Sequence, residues 1–286
     1  MSEVNDFSKG KLFPMILKYS IPAAISLLIT AIYNIVDRIY IGKIPGEGMI
    51  ALAGLGLCFP VITMVTAFAN LFGLGGAPLC SIARGKKDME GARKVMNNAF
   101  FMLIITGLCM TILGITFHKP ILYLFGASDS TFPFADTYLS IYLLGNVFVM
   151  FSLGMNNFIN AQGFAKKGML TVLIGAVLNI ILDPIFIFIL DMGVAGAALA
   201  TILSQMISAL WVLRFLTGKE TLIRLTRDNL HIHLPLLEEI ISLGASGFIM
   251  SFTNSAVQIV CNASLQNFGG DIYLTQGSHG CINTPY

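Results

Sequence analysis

The sequence predicts an all-α integral membrane protein with seven spans, and three observations carry that expectation. The 286 residues are 56% hydrophobic and only 11% charged, with a mean hydropathy of +0.80. A soluble domain has roughly 25% charged residues. Long apolar runs of membrane-spanning length alternate with short polar connections. The basic residues gather in every second connection.

The first residues, Met1 to Leu12, are polar and mixed in charge. They lack the short apolar run and small-residue cleavage site of a signal peptide. The first span is read from Met15 to Ile41, with Pro22 as a kink and Asn34, Asp37 and Arg38 near its far end. A salt bridge from Asp37 to Arg38 is the plain alternative to a functional acid, but sequence neighbours diverge by about 100° around a helix.

The second span is read from Ile50 to Ile82, with Pro60 and Pro78 towards its ends and the small-residue stretch Gly73–Pro78. Small residues allow close helix approach in lipid. The glycines do not make a phosphate loop, because no Lys-Ser/Thr follows and no strand precedes. Ala83 to Lys94 reads as a basic amphipathic connection, and the third span as Val95 to Phe117. Ile121–Phe125 is expected to be a short interfacial helix.

The fourth span, Phe134 to Ala161, contains Asn146, Asn156, Asn157 and Asn160. The fifth, Gly168 to Leu190, includes GAVLNIILDPIFIFIL. Within it Asn179 and Asp183 stand at i, i+4 and project from one helix face. Pro184 follows and removes a backbone donor beside the carboxylate. A carboxylate at mid-membrane costs at least ~2.5–3.5 kcal/mol on insertion scales, so it points to function rather than packing. The sixth span, Val194 to Leu216, opens with small residues and carries Thr201 and Gln205. A polar linker, Thr217 to Pro235, holds His231 and His233, which read as solvated rather than metal-binding. The seventh apolar run is Leu236 to Phe268.

All Lys and Arg except Arg38, Lys43 and Lys119 fall in the N-terminus or in the second, fourth and sixth connections. The positive-inside rule therefore places the N-terminus in the cytoplasm. Basic residues spread over short loops form no nucleic-acid face, so no nucleic-acid partner is expected. Cys58, Cys80, Cys109 and Cys261 lie in apolar runs without metal-ligand spacing and read as small core residues. No metal site and no resident cofactor are expected.

The seventh run looks like a second start. LKYSIPAAISLLITAIYNIVDRIYIGKIPG from Leu17 and ISLGASGFIMSFTNSAVQIVCNASLQNFGG from Ile241 share small residues early, a polar pair mid-helix and a final glycine. Many secondary transporters are built from such repeats.

Five stretches carry a family resemblance: KYSIPAAISLLITAIYNIVDRIYIG, ALAGLGLCFPVITMVTAFANLFGLGGAPLCSIARGKKD, NNFINAQG, LNIILDPIFI and MGVAGAALAT. From about Lys18 to Gly270 the chain resembles the MATE (multidrug and toxic compound extrusion) transporters, nearest their bacterial multidrug branch. The resemblance implies a six-helix N-lobe (1–216), a cytoplasmic linker (217–235) and the first helix of a truncated second lobe (236–270). It also implies residence in a bacterial plasma membrane and export of cationic, amphipathic drugs in exchange for protons or sodium. A cation site would fall on Asp37, Asn179, Asp183 and Thr201, with Asn156 or, preferably, Asn157 from the fourth span. NAQG at Asn160–Gly163 departs from a commoner pattern with Arg in place of Asn160.

Two carboxylates in one low-dielectric site can share a proton, and the same oxygens suit a hard cation. Met and aromatic side chains would give an adaptable drug surface. Two alternatives stand beside the transporter. One is a non-transporting membrane component that needs a partner lobe. The other rests on the atypical tail, residues 271–286. There GSHGCINTP resembles the active-site motif of L,D-transpeptidases, with Cys281 as nucleophile and His279 nearby.

Overall fold

A computed structural model describes residues 12–225 and 233–280, with Leu12, Met15 and the stretch 267–280 as backbone only. Among the described residues every element is a helix: α1 (Leu12–Gly42), α2 (Gly48–Gly85), α3 (Met89–Leu124), α4 (Phe132–Ala161), α5 (Ala165–Pro184), α6 (Gly193–Thr217) and α7 (Leu234–Gly280). A π-helical turn, Ile185–Ile189, continues α5. All seven helices include a segment long and apolar enough to cross a membrane. The protein is an all-α, multi-pass membrane protein.

The core lies between α2 and α4, whose apolar windows are mostly buried, whereas that of α1 is almost entirely open. α2 packs on α3, α4 and α7; α1 leans chiefly on α5. Small residues set these contacts. A side chain at Gly73 would meet the Gly154 carbonyl of α4 at 2.8 Å. One at Gly75 would strike the Ile240 carbonyl of α7, and one at Gly244 the Leu71 carbonyl of α2. Backbone-to-backbone approach of this kind maximises dispersion where lipid supplies no hydrophobic drive between helices.

Proline supplies a second docking device. Pro60 has no N–H, so the carbonyl of Gly56, one turn earlier, loses its helical partner. Asn262 of α7 donates to that carbonyl at 3.3 Å, and Ser255 donates to the Pro60 carbonyl at 2.8 Å. Elsewhere Asn146 donates to Gly107 O (3.0 Å, α4 to α3) and Ser208 to Thr171 O (3.3 Å, α6 to α5).

Three expectations are corrected. Ile121–Phe125 is no separate interfacial helix; Ile121–Leu124 form the last turn of α3, which runs through Pro120. One missing donor is tolerated where the flanking turns keep their bonds, as Phe125 N does with Ile121 O at 3.0 Å. The basic connection Ala83–Lys94 is two helix ends joined by a short turn. Asp88 caps α3 by accepting from Gly91 N at 2.8 Å, so α3 starts before its apolar stretch. Cys109 is exposed on the bundle's outer face, unlike buried Cys58 and Cys80. α7 covers the expected seventh run and its helix continues past Phe268 to Gly280; Cys281 lies outside the described residues, as does His231.

Candidate functional site

The local sequence of α5 builds one side of the site. Asn179 and Asp183 share a face and are both buried. The side-chain amide of Asn179 donates to Asp183 Oδ1 at 3.2 Å and to Thr201 Oγ1 of α6 at 3.4 Å. Pro184 then leaves the Ile180 carbonyl without its helical donor. The chain answers with the π-helical turn, closed by Leu190 N to Ile185 O at 2.9 Å. The small opening of α6 lets it approach that turn, since a side chain at Gly196 would meet the Phe186 carbonyl at 2.7 Å. This approach carries Thr201 to Asn179.

α1 builds the other side. Ser26, Thr30 and Asn34 each donate to the carbonyl four residues back, at 2.9, 2.9 and 2.8 Å, forming a polar stripe down the helix. Asp37, near its end, faces Asp183 of α5 closely enough for the two carboxyls to interact. Arg38 forms no salt bridge with Asp37 within 4 Å, although the two charges act on each other. Its guanidinium lies 4.8 Å from the ring centroid of Phe59 on α2.

Asp37, Asn34, Arg38, Thr201 and Gln205 line a cavity of about 110 Å³, closed by Phe59, Thr66, Tyr138 and Tyr142. Tyr138 and Thr201 share the wall of this cavity and interact there. Four helices thus form one chain of polar groups: Tyr138, Thr201, Asn179, Asp183 and Asp37. Three of its oxygens, Asp37 Oδ1, Asp183 Oδ2 and Asn179 Oδ1, are buried without a hydrogen-bond partner. Buried oxygens that lack donors suit a proton or a hard cation as the missing partner.

Of the expected residues, Asp37, Asn179, Asp183 and Thr201 come together and Asn157 does not. Asn157 donates to Leu153 O of its own helix at 3.2 Å and lies against Gly73 of α2. Its neighbour Asn156 faces a second cavity of about 800 Å³ between α1, α2, α4 and α5, beside Ser26, Thr30 and Arg84. Asn160 lines that cavity too, and Arg84 Nη1 donates to Ala161 O at 3.3 Å. Sequence reasoning missed Tyr138. A tyrosine in an apolar run carries no distinguishing signal until a neighbouring helix is placed against its hydroxyl.

Residues 22–185 match the MatE family. The chain is 29% identical over 263 residues to the multidrug export protein MepA of Staphylococcus saprophyticus, and 30% identical over 267 residues to that of Staphylococcus aureus. Each alignment covers 92% of this chain and 58% of the relative, so the chain spans a little over half the length of these proteins. Among solved structures it is similar to the MATE multidrug transporter DinF-BH (TM-score 0.91, 33% identity, 99% of this chain and 63% of that one). It is also similar to an inward-facing multidrug resistance MATE family transporter (TM-score 0.82, 28% identity, 92% and 60%).

Proposed function

The chain belongs to the MATE family of multidrug transporters, and on that premise we propose that it acts in secondary active drug efflux, exporting cationic amphipathic drugs in exchange for protons or sodium. The coupling cation is handled by Asp37, Asp183, Asn179 and Thr201. Residues 1–216 serve as the six-helix N-lobe, 217–235 as a cytoplasmic linker and 236–270 as the first helix of a second lobe. That lobe completes the drug cavity. The membrane is a bacterial plasma membrane, with the N-terminus in the cytoplasm.

The observation that carries this reading is the approach of two carboxyls from α1 and α5 which, with Asn179, hold three buried oxygens that lack a partner. A cation can bridge those oxygens, and a proton can turn one carboxyl into a donor to a neighbouring oxygen. The same site is joined to α1, the helix with the most open face, so its loading can shift the balance between two positions of that helix. A ligand drives such a shift only by binding the two states unequally.

The test is drug-evoked flux of protons or sodium in everted membrane vesicles containing the protein. Flux that disappears in Asp37→Asn and Asp183→Asn, and persists in Asp191→Asn, supports the proposal. Flux that appears only on co-expression with a second six-helix lobe assigns the chain the role of a component that needs a partner lobe. Absence of flux in both arrangements overturns the transport reading.

A further inference from the structure

A pocket of about 520 Å³ lies where the first turn of α5 meets the last two turns of α6, outside the carboxylate site. Lys167, Trp211, Arg214 and Lys219 line it together with Glu220. Lys167 pairs with Glu220 at 3.1 Å, and its ammonium stands 5.9 Å from the ring centroids of both Trp211 and Phe215. Among the described residues Arg214 and Lys219 have no ion-pair partner, so the pocket carries an excess of two positive charges. Trp211 adds a donor in need of an acceptor, because its Nε1 is buried with no hydrogen-bond partner.

We propose that this pocket binds the phosphate headgroup of an anionic membrane lipid. A phosphodiester offers oxygens to Arg214 and Lys219 at once, and guanidinium matches phosphate in a bidentate geometry. The adjacent surface favours a lipid over a free phosphate. Ile207 and Leu210 are exposed, and with Trp211 and Arg214 they fall at helical spacing on one stripe of α6. An acyl chain can lie along that stripe while the headgroup sits at its charged end. Tryptophan favours this interfacial depth, where its ring meets hydrocarbon and its N–H meets polar groups. Basic pockets between spanning helices are the usual seats of acidic lipid headgroups. The site owes nothing to the drug-efflux reading and stands or falls apart from it.

Trp211 is the single tryptophan of the chain, which makes its fluorescence a report from inside the pocket. The experiment measures its quenching in the purified full chain by phosphatidylglycerol brominated on its acyl chains. Equally brominated phosphatidylcholine at the same mole fraction is the comparison. The anionic lipid is expected to quench more strongly. Arg214→Gln and Lys219→Gln are each expected to reduce that preference about fivefold, the effect of one surface cation on an acidic lipid. Lys219 is exposed, so its variant folds normally and keeps the test open even if Arg214→Gln does not. Persistence of the preference in soluble glycerol phosphate supports the lipid; its complete displacement by glycerol phosphate overturns the assignment in favour of a free-phosphate site. Equal quenching by the two lipids, or a preference untouched by both substitutions, also overturns it.

Discussion

The carboxyls of Asp37 and Asp183 face each other across the packed faces of α1 and α5, although most of the bundle's sequence separates them. Their interaction makes the two acids one unit. Asp37→Asn and Asp183→Asn are each expected to bring drug-evoked ion flux down to background, with the double variant no worse than either single one. Residues that act on one bound cation are not additive. A double variant markedly worse than both single variants, measured where the latter retain some flux, would show two separate sites.

Asn179 is expected to govern affinity for the coupling ion. Its amide holds Asp183 and Thr201 in place at 3.2 and 3.4 Å. Asn179→Leu leaves both carboxyls present but unpositioned. The half-saturating concentration of the coupling ion is expected to rise by at least roughly 10–100-fold, the loss that follows when only an outer-shell partner goes, because Asn179 also offers an oxygen of its own. Thermal stability of the purified protein, measured alongside, separates this effect from unfolding.

Gln162 is expected to clamp the linker to the bundle. Its fully buried Oε1 accepts from Thr221 Oγ1 at 2.7 Å, Leu222 N at 3.0 Å and Ile223 N at 2.9 Å. Gln162→Leu strands the Leu222 and Ile223 amides, each at a cost of about 1–3 kcal/mol when buried, while the Thr221 hydroxyl keeps the Ile223 carbonyl as acceptor at 3.0 Å. Hydrogen exchange at the Leu222 and Ile223 amides should accelerate by orders of magnitude. Gln162→Glu keeps the acceptor and should restore protection; exchange as fast as in the leucine variant would sink the explanation.

The Pro60 carbonyl gap predicts a rescue. Asn262→Leu removes the donor to Gly56 O and is expected to lower stability by about 1 kcal/mol. Pro60→Ala supplies a helical N–H to the same carbonyl, so in that background the Asn262→Leu loss should shrink towards zero. Equal losses in both backgrounds, read from thermal midpoints, would show that Asn262 serves some other partner.

The polar residues show where legibility ends. Asn179 and Asp183 were readable as a pair because i, i+4 spacing and a following proline are local. The missing donor at Pro184 was readable too, and the form it takes is the wider turn Ile185–Ile189. Gln162 was visible inside NAQG but its task was not, since its three donors lie some sixty residues ahead. The resemblance preferred Asn157 to Asn156, and nothing local in the sequence supported that choice. Neighbouring positions differ by about 100° in direction, and only the rotation of α4 against α1 and α2 chose between a cavity and a glycine.

Composition, run length and the placement of Lys and Arg determined the class, the number of spans and their expected orientation. These quantities answer to the bilayer, which reads hydrophobic length and charge without reference to neighbours. The tertiary structure alone decided that Asp37 faces Asp183 while Arg38 turns to Phe59. It also decided that Tyr138 interacts with Thr201 and that α3 runs on through Pro120. A helix that is apolar on nearly all sides carries little record of which side its partners occupy. Its rotation is set by small residues, orphaned carbonyls and polar hydrogen bonds, and these take effect only when the helices are packed.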